Sequence, residues 1–191
     1  TDKRPALLYA SLIALVTFVS NGTSTHLPEY IASVGLPVAV GMLWGIGQTG
    51  ARFLEVASGS VLTPLRLTIL TTLVMPLCFA LGLSGPYLSW AAGGFVLGYG
   101  AINGLTTVFK ATLPLQLFAA ADYARRTGIL LIPAQLLAAA SPFAYAWLND
   151  HLGIRGSLAV SAALALVVAA LAMAIAWCQR ENTPAAIDER G

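Results

Sequence analysis

Long apolar runs, separated by short clusters of proline, glycine and charge, set the rhythm of the chain. The first runs from Leu7 to Phe18 and continues, with more polar character, through Asn21, Thr23, Thr25 and His26 to Tyr30. A second covers about 38–58 and follows Pro37, a residue suited to the first turn of a helix. The third, about 65–83, follows Pro64 and ends in Gly82, Ser84, Gly85 and Pro86. The fourth, about 87–109, is rich in glycine: Gly93, Gly94, Gly98, Gly100 and Gly104. A semipolar link over 110–126, with room for a short helix, leads to a fifth run at 127–148 carrying Pro133 and Pro142. The sixth covers 154–178, and 179–191 is a polar tail. A helix needs about 20 mainly apolar residues to cross a bilayer. The pattern therefore predicts an all-α membrane protein, with residues 1–191 forming one bundle of six transmembrane helices.

Composition supports that class. Hydrophobic residues are 58% of the chain and charged residues 9%, against roughly 25% charged in soluble domains. A soluble domain of 191 residues would be left with large exposed apolar patches, and disorder requires the opposite composition. A net charge of +2, scattered along the chain, offers no nucleic-acid surface. Cys78 and Cys178 lie in apolar surroundings and read as small buried hydrophobes; no metal set and no cofactor motif is present. The chain starts at Thr1 with no initiator methionine and no three-part signal peptide, so we expect a trimmed start or a piece of a longer chain.

Loop charge gives an orientation. With six spans, Lys3, Arg4, Arg66, Lys110, Arg125, Arg126, Arg180 and Arg190 fall on one side and Arg155 alone on the other. The positive-inside rule then places both termini and the tail in the cytoplasm.

Polar residues within the apolar runs are the candidates for chemistry. Gln48, Arg52 and Glu55 stand at i, i+4 and i+7 and share a helix face. Arg52 and Glu55 form either an ion pair near the interface or part of a cavity, where the arginine fork suits an anionic group but cannot carry the coupled proton. In the first run, Gly22 and Pro28 can unwind or kink the helix around Asn21, His26 and Glu29. An imidazole or a carboxylate there could carry protons, unless both are simply solvated near the headgroups. Tyr99 and Asn103 share a face of the fourth run, and Gln135 and Ser141 lie in the fifth. Asn103 faces either a cavity or a neighbouring helix. Arg66, Asp122, Arg125 and Arg126 are candidates for a cytoplasmic gate or latch, or plain orientation signals, while Asp150 and His151 read as solvated. Gly94 with Gly98, and Gly100 with Gly104, have the spacing that lets helices approach closely.

Enzyme classes find no support, and we expect no enzyme. His26 is far in depth from Ser58, so no serine–histidine pair forms within the membrane. No His-Glu-x-x-His run, dinucleotide fingerprint or paired Asn-Pro-Ala loop occurs.

What remains resembles the major facilitator superfamily, in particular its C-terminal six-helix half. The resemblance runs from about Leu7 to Cys178. It rests on six spans with cytoplasmic ends, on polar residues gathered in the first, second and fourth spans, and on three stretches similar to bacterial efflux members. These are Gly45-Ile46-Gly47-Gln48-Thr49-Gly50-Ala51-Arg52-Phe53-Leu54-Glu55, Ala111 to Phe118, and Asp122 to Gly128. The family's Gly-x-Leu-x-Asp-Arg-x-Gly-Arg-Arg type signature is degenerate here: Gly59 to Arg66 keeps a glycine, leucines and one arginine. Leu148 to Arg155 looks more like that signature but lies at the opposite side.

The resemblance implies a secondary active transporter working by alternating access, with proton-coupled efflux of a small molecule as the leading expectation. Uptake of a small organic anion and a non-transporting scaffold are the alternatives. Asn21, Gln48, Arg52, Tyr99, Asn103 and Gln135 would line the cavity, and His26, Glu29 and Glu55 would be coupling candidates. The first, second, fourth and fifth spans would face the cavity, with the third and sixth peripheral. The expected partners are a companion N-terminal half (separate or cleaved) or a second copy, the substrate and membrane lipid, in a bacterial inner membrane.

Overall fold

A computed structural model describes residues 3–59, 61–118 and 123–181. They form α1 (Lys3–Thr25), α2 (Leu27–Ser33), a 3-10 turn (Val38–Gly41), α3 (Met42–Ala57), α4 (Pro64–Ser84), α5 (Ser89–Leu117), α6 (Tyr123–Leu130) and α7 (Ile132–Glu181). The fold is all-α, with no strand among the described residues. Three helical stretches, Arg4–Thr25, Pro64–Ser84 and Tyr123–Arg180, are long and apolar enough to cross a membrane. The chain is thus built as a membrane protein.

The longest helix is really a hairpin. Gly153 breaks α7 with φ 71° and ψ 172°, a conformation that favours glycine. Tyr145 and Ser161 share a hydroxyl–hydroxyl bond of 2.6 Å, and Ser157 donates to the Asn149 side-chain oxygen. Both pairs are centred on residue 153. In one straight helix, residues 16 apart would lie about 24 Å from each other, so the arms 132–152 and 154–181 fold back together.

The helices pair in a definite order. α1 packs along α7, α3 along α5, and α4 against both α5 and α7. Asn21 of α1 bonds the Ala138 carbonyl, Ser141 donates to the Phe18 carbonyl of α1, and His26 just past α1 meets the Pro142 carbonyl, so these polar contacts fall on the first arm of α7. α4 shares an apolar groove with Ala170, Met173 and Trp177 of the second arm. The interior divides into two apolar clusters. One gathers Val19, Met75, Phe79, Phe95 and Tyr99; the other gathers Tyr9, Leu12, Leu67, Phe109, Leu113 and Ile175.

Glycine makes the α3–α5 contact possible. A side chain added at Gly47 would meet the Leu97 carbonyl of α5; at Gly100, the Trp44 carbonyl; at Gly104, the Gln48 carbonyl. Backbones this close can be joined by dispersion and by Cα–H···O contacts. The Gly100–Gly104 pair is therefore the crossing point. Gly94 faces open space and Gly98 only touches the Cys78 sulfur of α4.

Proline accounts for the seating of α1. Pro114 and Pro142 lie inside helices and lack the N–H that would bond the carbonyl four residues earlier. In α5 that carbonyl belongs to Lys110, and the Tyr9 hydroxyl donates to it at 2.9 Å. In α7 it belongs to Ala138, and the Asn21 side-chain amide donates to it at 3.4 Å. α1 thus satisfies two carbonyls that the bilayer could not solvate.

Several sequence expectations shift in detail. The first run is not one helix but α1 and α2, with His26 at the junction (φ −100°, ψ 8°). Gly22 does not unwind; it stays helical and makes room for the Tyr145 ring. Pro28 opens α2 rather than kinking α1. The fourth run continues as helix through Leu117, so Lys110 belongs to α5 and not to a loop. Here the lower hydropathy after Phe109 hides two more helical turns. The short helix expected in the link is α6, and it enters the fifth run rather than standing apart.

Candidate functional site

One face of α5 stays polar. Asn103, Thr107 and Lys110 stand at i, i+4 and i+7, and all retain some exposure. The adjoining face carries Phe95, Ile102, Phe109 and Leu113 into the core, and Tyr99, one turn before Asn103, is buried with them. The glycine row that meets α3 lies to one side of the polar face. On the other side α1 is joined through the Tyr99 hydroxyl to Ser20 at 3.5 Å and the Lys110 ammonium to Thr17 at 3.4 Å. The polar face therefore opens between α1 and α3.

Two cations border it. Arg52 of α3 donates through Nε to the Gly104 carbonyl at 3.4 Å, and the Thr107 hydroxyl donates to the same oxygen at 2.6 Å. Lys110 enters from α5 itself. Its side chain leans toward the helix N-terminus, as helical side chains do, and its ammonium meets Thr17 three residues below Ser20. That brings it back toward the level of Gly104. The only ion pair among the described residues is His26 with Glu29, so neither Arg52 nor Lys110 is matched by a described carboxylate.

A second polar cluster sits at the end of the bundle remote from Lys3. His26 Nδ1 lies 3.1 Å from the Glu29 carboxylate, and Nε2 lies 3.2 Å from the Pro142 carbonyl. Both neighbours are acceptors, so making both bonds requires a proton on each ring nitrogen. Asn149 donates to the same Glu29 oxygen at 3.2 Å and accepts from Ser157. The network ties the α1–α2 junction to the α7 hairpin above a narrow cavity lined by Thr23, Tyr30, Tyr145 and Ser157.

The other sequence candidates take varied positions. Gln48 is half-buried, and its backbone touches Gly104. Tyr99 does not line an open face: it is 1% exposed and packs against Phe79 and Phe95, because its ring completes the aromatic core. Asn103 alone of that pair faces outward. Asn21 is exposed but engaged with Ala138, and Gln135 is exposed one turn away on the same arm. Glu55 makes no ion pair with Arg52; it borders a crevice with Thr63, Val108 and Thr112. Arg66 and Arg125 are exposed, Arg126 is half-buried, and Asp122 lies outside the described residues. The signature-like stretch ending at Arg155 forms the hairpin apex, where Arg155 stacks over Tyr87 and donates to its hydroxyl at 3.2 Å. His151 stacks on Trp147 and stays exposed, as does Asp150.

Lys110 is the residue the sequence reading missed as a site member. Its spacing from Asn103 and Thr107 was the available signal. Compared with known proteins, the chain matches no family model, no curated protein and no solved structure.

Proposed function

We propose that the chain is one six-helix half of a secondary active transporter of the major facilitator type, moving a small molecule by alternating access. α2 and the 3-10 turn with α3 complete the first and second passes, and α5, α6 and the arms of α7 supply the last three. The observation that carries this reading is the order of helix pairing. The first pass lies on the fifth and the second on the fourth, and exchanging the first three passes with the last three leaves this order unchanged. Such inverted repeats recur within transporter halves. A polar face between α1 and α3 adds support, since one half alone leaves it without an opposite wall. That wall belongs to a companion half or a second copy.

Both termini are cytoplasmic in this reading and the membrane is a bacterial inner membrane, on the strength of the loop-charge bias. Transport is proton-coupled efflux. His26 and Glu29 are the coupling groups, because loss of a ring proton from His26 abolishes one of its two bonds and loosens the α1–α7 contact. The test is flux in vesicles holding the full chain and every polypeptide that copurifies with it, under an imposed pH gradient. Gradient-driven flux that falls in His26→Gln/Glu29→Gln supports the assignment. Unchanged flux in that variant overturns the coupling groups. No gradient-linked flux with all partners present favours a scaffold.

A further inference from the structure

We infer that the polar face of α5 between α1 and α3 binds an anionic group of the substrate, a carboxylate or phosphate, held jointly by Arg52 and Lys110. The inference deepens the transport reading and rests on it for the word substrate. Arg52 on α3 and Lys110 on α5 are both half-buried, with no described carboxylate within ion-pair distance. Charge in such a setting is costly unless it is paired or faces water. Their present bonds are weak substitutes: Arg52 spends only Nε on the Gly104 carbonyl, and Lys110 reaches a neutral Thr17 hydroxyl. The two terminal nitrogens of Arg52 stay available as a planar fork, which matches two oxygens of a carboxylate or phosphate. The ammonium approaches from the α1 side as a point charge. Thr107, already fixed on Gly104, and Asn103 lie between them as neutral hydrogen-bonding groups. No carboxylate among the described residues is paired with either cation, and Glu55 borders a separate crevice with Thr63, Val108 and Thr112.

The test uses the full chain, with any chains that copurify, in phosphatidylcholine nanodiscs lacking anionic lipid. Succinate and inorganic phosphate are titrated separately and binding is read by calorimetry. We expect saturable binding of at least one probe. Arg52→Gln and Lys110→Gln each weaken it by roughly tenfold or more, the cost of a lost charge-assisted bond. Lys110→Arg, which keeps the charge, retains binding and controls for misfolding. The inference is overturned if neither probe binds, as expected were the cations matched by a companion chain's carboxylates. It is also overturned if Arg52→Gln and Lys110→Gln leave affinity unchanged. A third contrary result is binding of phosphatidylglycerol in mixed nanodiscs with no binding of either soluble probe, which assigns the cations to a lipid headgroup. Flux separates this outcome from the transport reading. Anion binding without flux leaves the site standing and refutes transport, whereas gradient-driven flux of a neutral or cationic compound, indifferent to Arg52→Gln, does the reverse.

Discussion

α3 meets α5 backbone to backbone, whereas α1 meets α7 through side chains. In the first pair, Gly47, Gly100 and Gly104 bring main-chain atoms together and leave no room for a methyl group. In the second, Asn21, His26, Ser141 and Tyr145 supply polar or aromatic contacts around a narrow cavity. The first seam rests on backbone contact, with the Arg52–Gly104 bond at one end, and is fixed in register and insensitive to protonation, since arginine keeps its proton. The second includes a histidine whose bonds depend on its protons. Rigid pairing on one side of the α5 face and adjustable pairing at α1 together suit the rocking bundle that the proposed alternating access requires.

The largest break in this contrast should come from the glycine seam. Gly104→Leu forces a side chain against the Gln48 backbone, which cannot swing aside, so the cost should reach or exceed about 3 kcal/mol, the upper end for overpacking. Gly100→Leu should behave alike, with unfolding in detergent followed by circular dichroism as the measurement. Next in size is Tyr9→Phe, which leaves the Lys110 carbonyl freed by Pro114 without a donor and costs about 1–3 kcal/mol. Adding Pro114→Ala to Tyr9→Phe returns an N–H to that carbonyl and should recover part of the loss. If the double variant is as unstable as the sum of the singles, the proline explanation for the seating of α1 is wrong.

Smaller effects belong to the adjustable side. His26→Gln removes the ion pair with Glu29, whose side chain is 57% exposed, so the stability change should stay below about 1 kcal/mol. Its signature should instead be greater cysteine accessibility at the α1–α7 end, probed with a Ser24→Cys reporter. The smallest change is expected at Gly94, which meets nothing within 4 Å. Gly94→Ala should be neutral or stabilising by up to about 1 kcal/mol through helix propensity. A large loss there would mean that the two glycine pairs are not distinguished as the packing shows.

The apolar runs were legible because length and hydropathy are written locally. Pro64, Gly85 and Pro86 likewise marked the ends of α4 to within a residue or two. Which helix a glycine meets is a tertiary fact. Gly94–Gly98 and Gly100–Gly104 have the same spacing, yet only the second pair seats α3. The α5 face was hidden for a different reason. Pro114 and Gln116 imitate a loop in composition, so Lys110 looked like a surface charge. In the fold the helix runs on, because Tyr9 satisfies the carbonyl that Pro114 cannot. Arg52 stood out as a cation at membrane depth, but its spacing to Glu55 suggested a pair that does not form. Tyr99 shares a sequence face with Asn103; only the packing of Phe79 and Phe95 shows that the tyrosine turns inward.

The central claim is that this bundle is one half of a two-part transport unit, with the α5 face closed by a second bundle. Native mass spectrometry of the particle extracted from membranes tests it most directly. The account predicts the bundle in complex with a second six-span bundle, either a companion sequence or another copy of this one. A particle containing a single copy of this 19.9 kDa chain and no second bundle, yet active in gradient-driven flux, would contradict it.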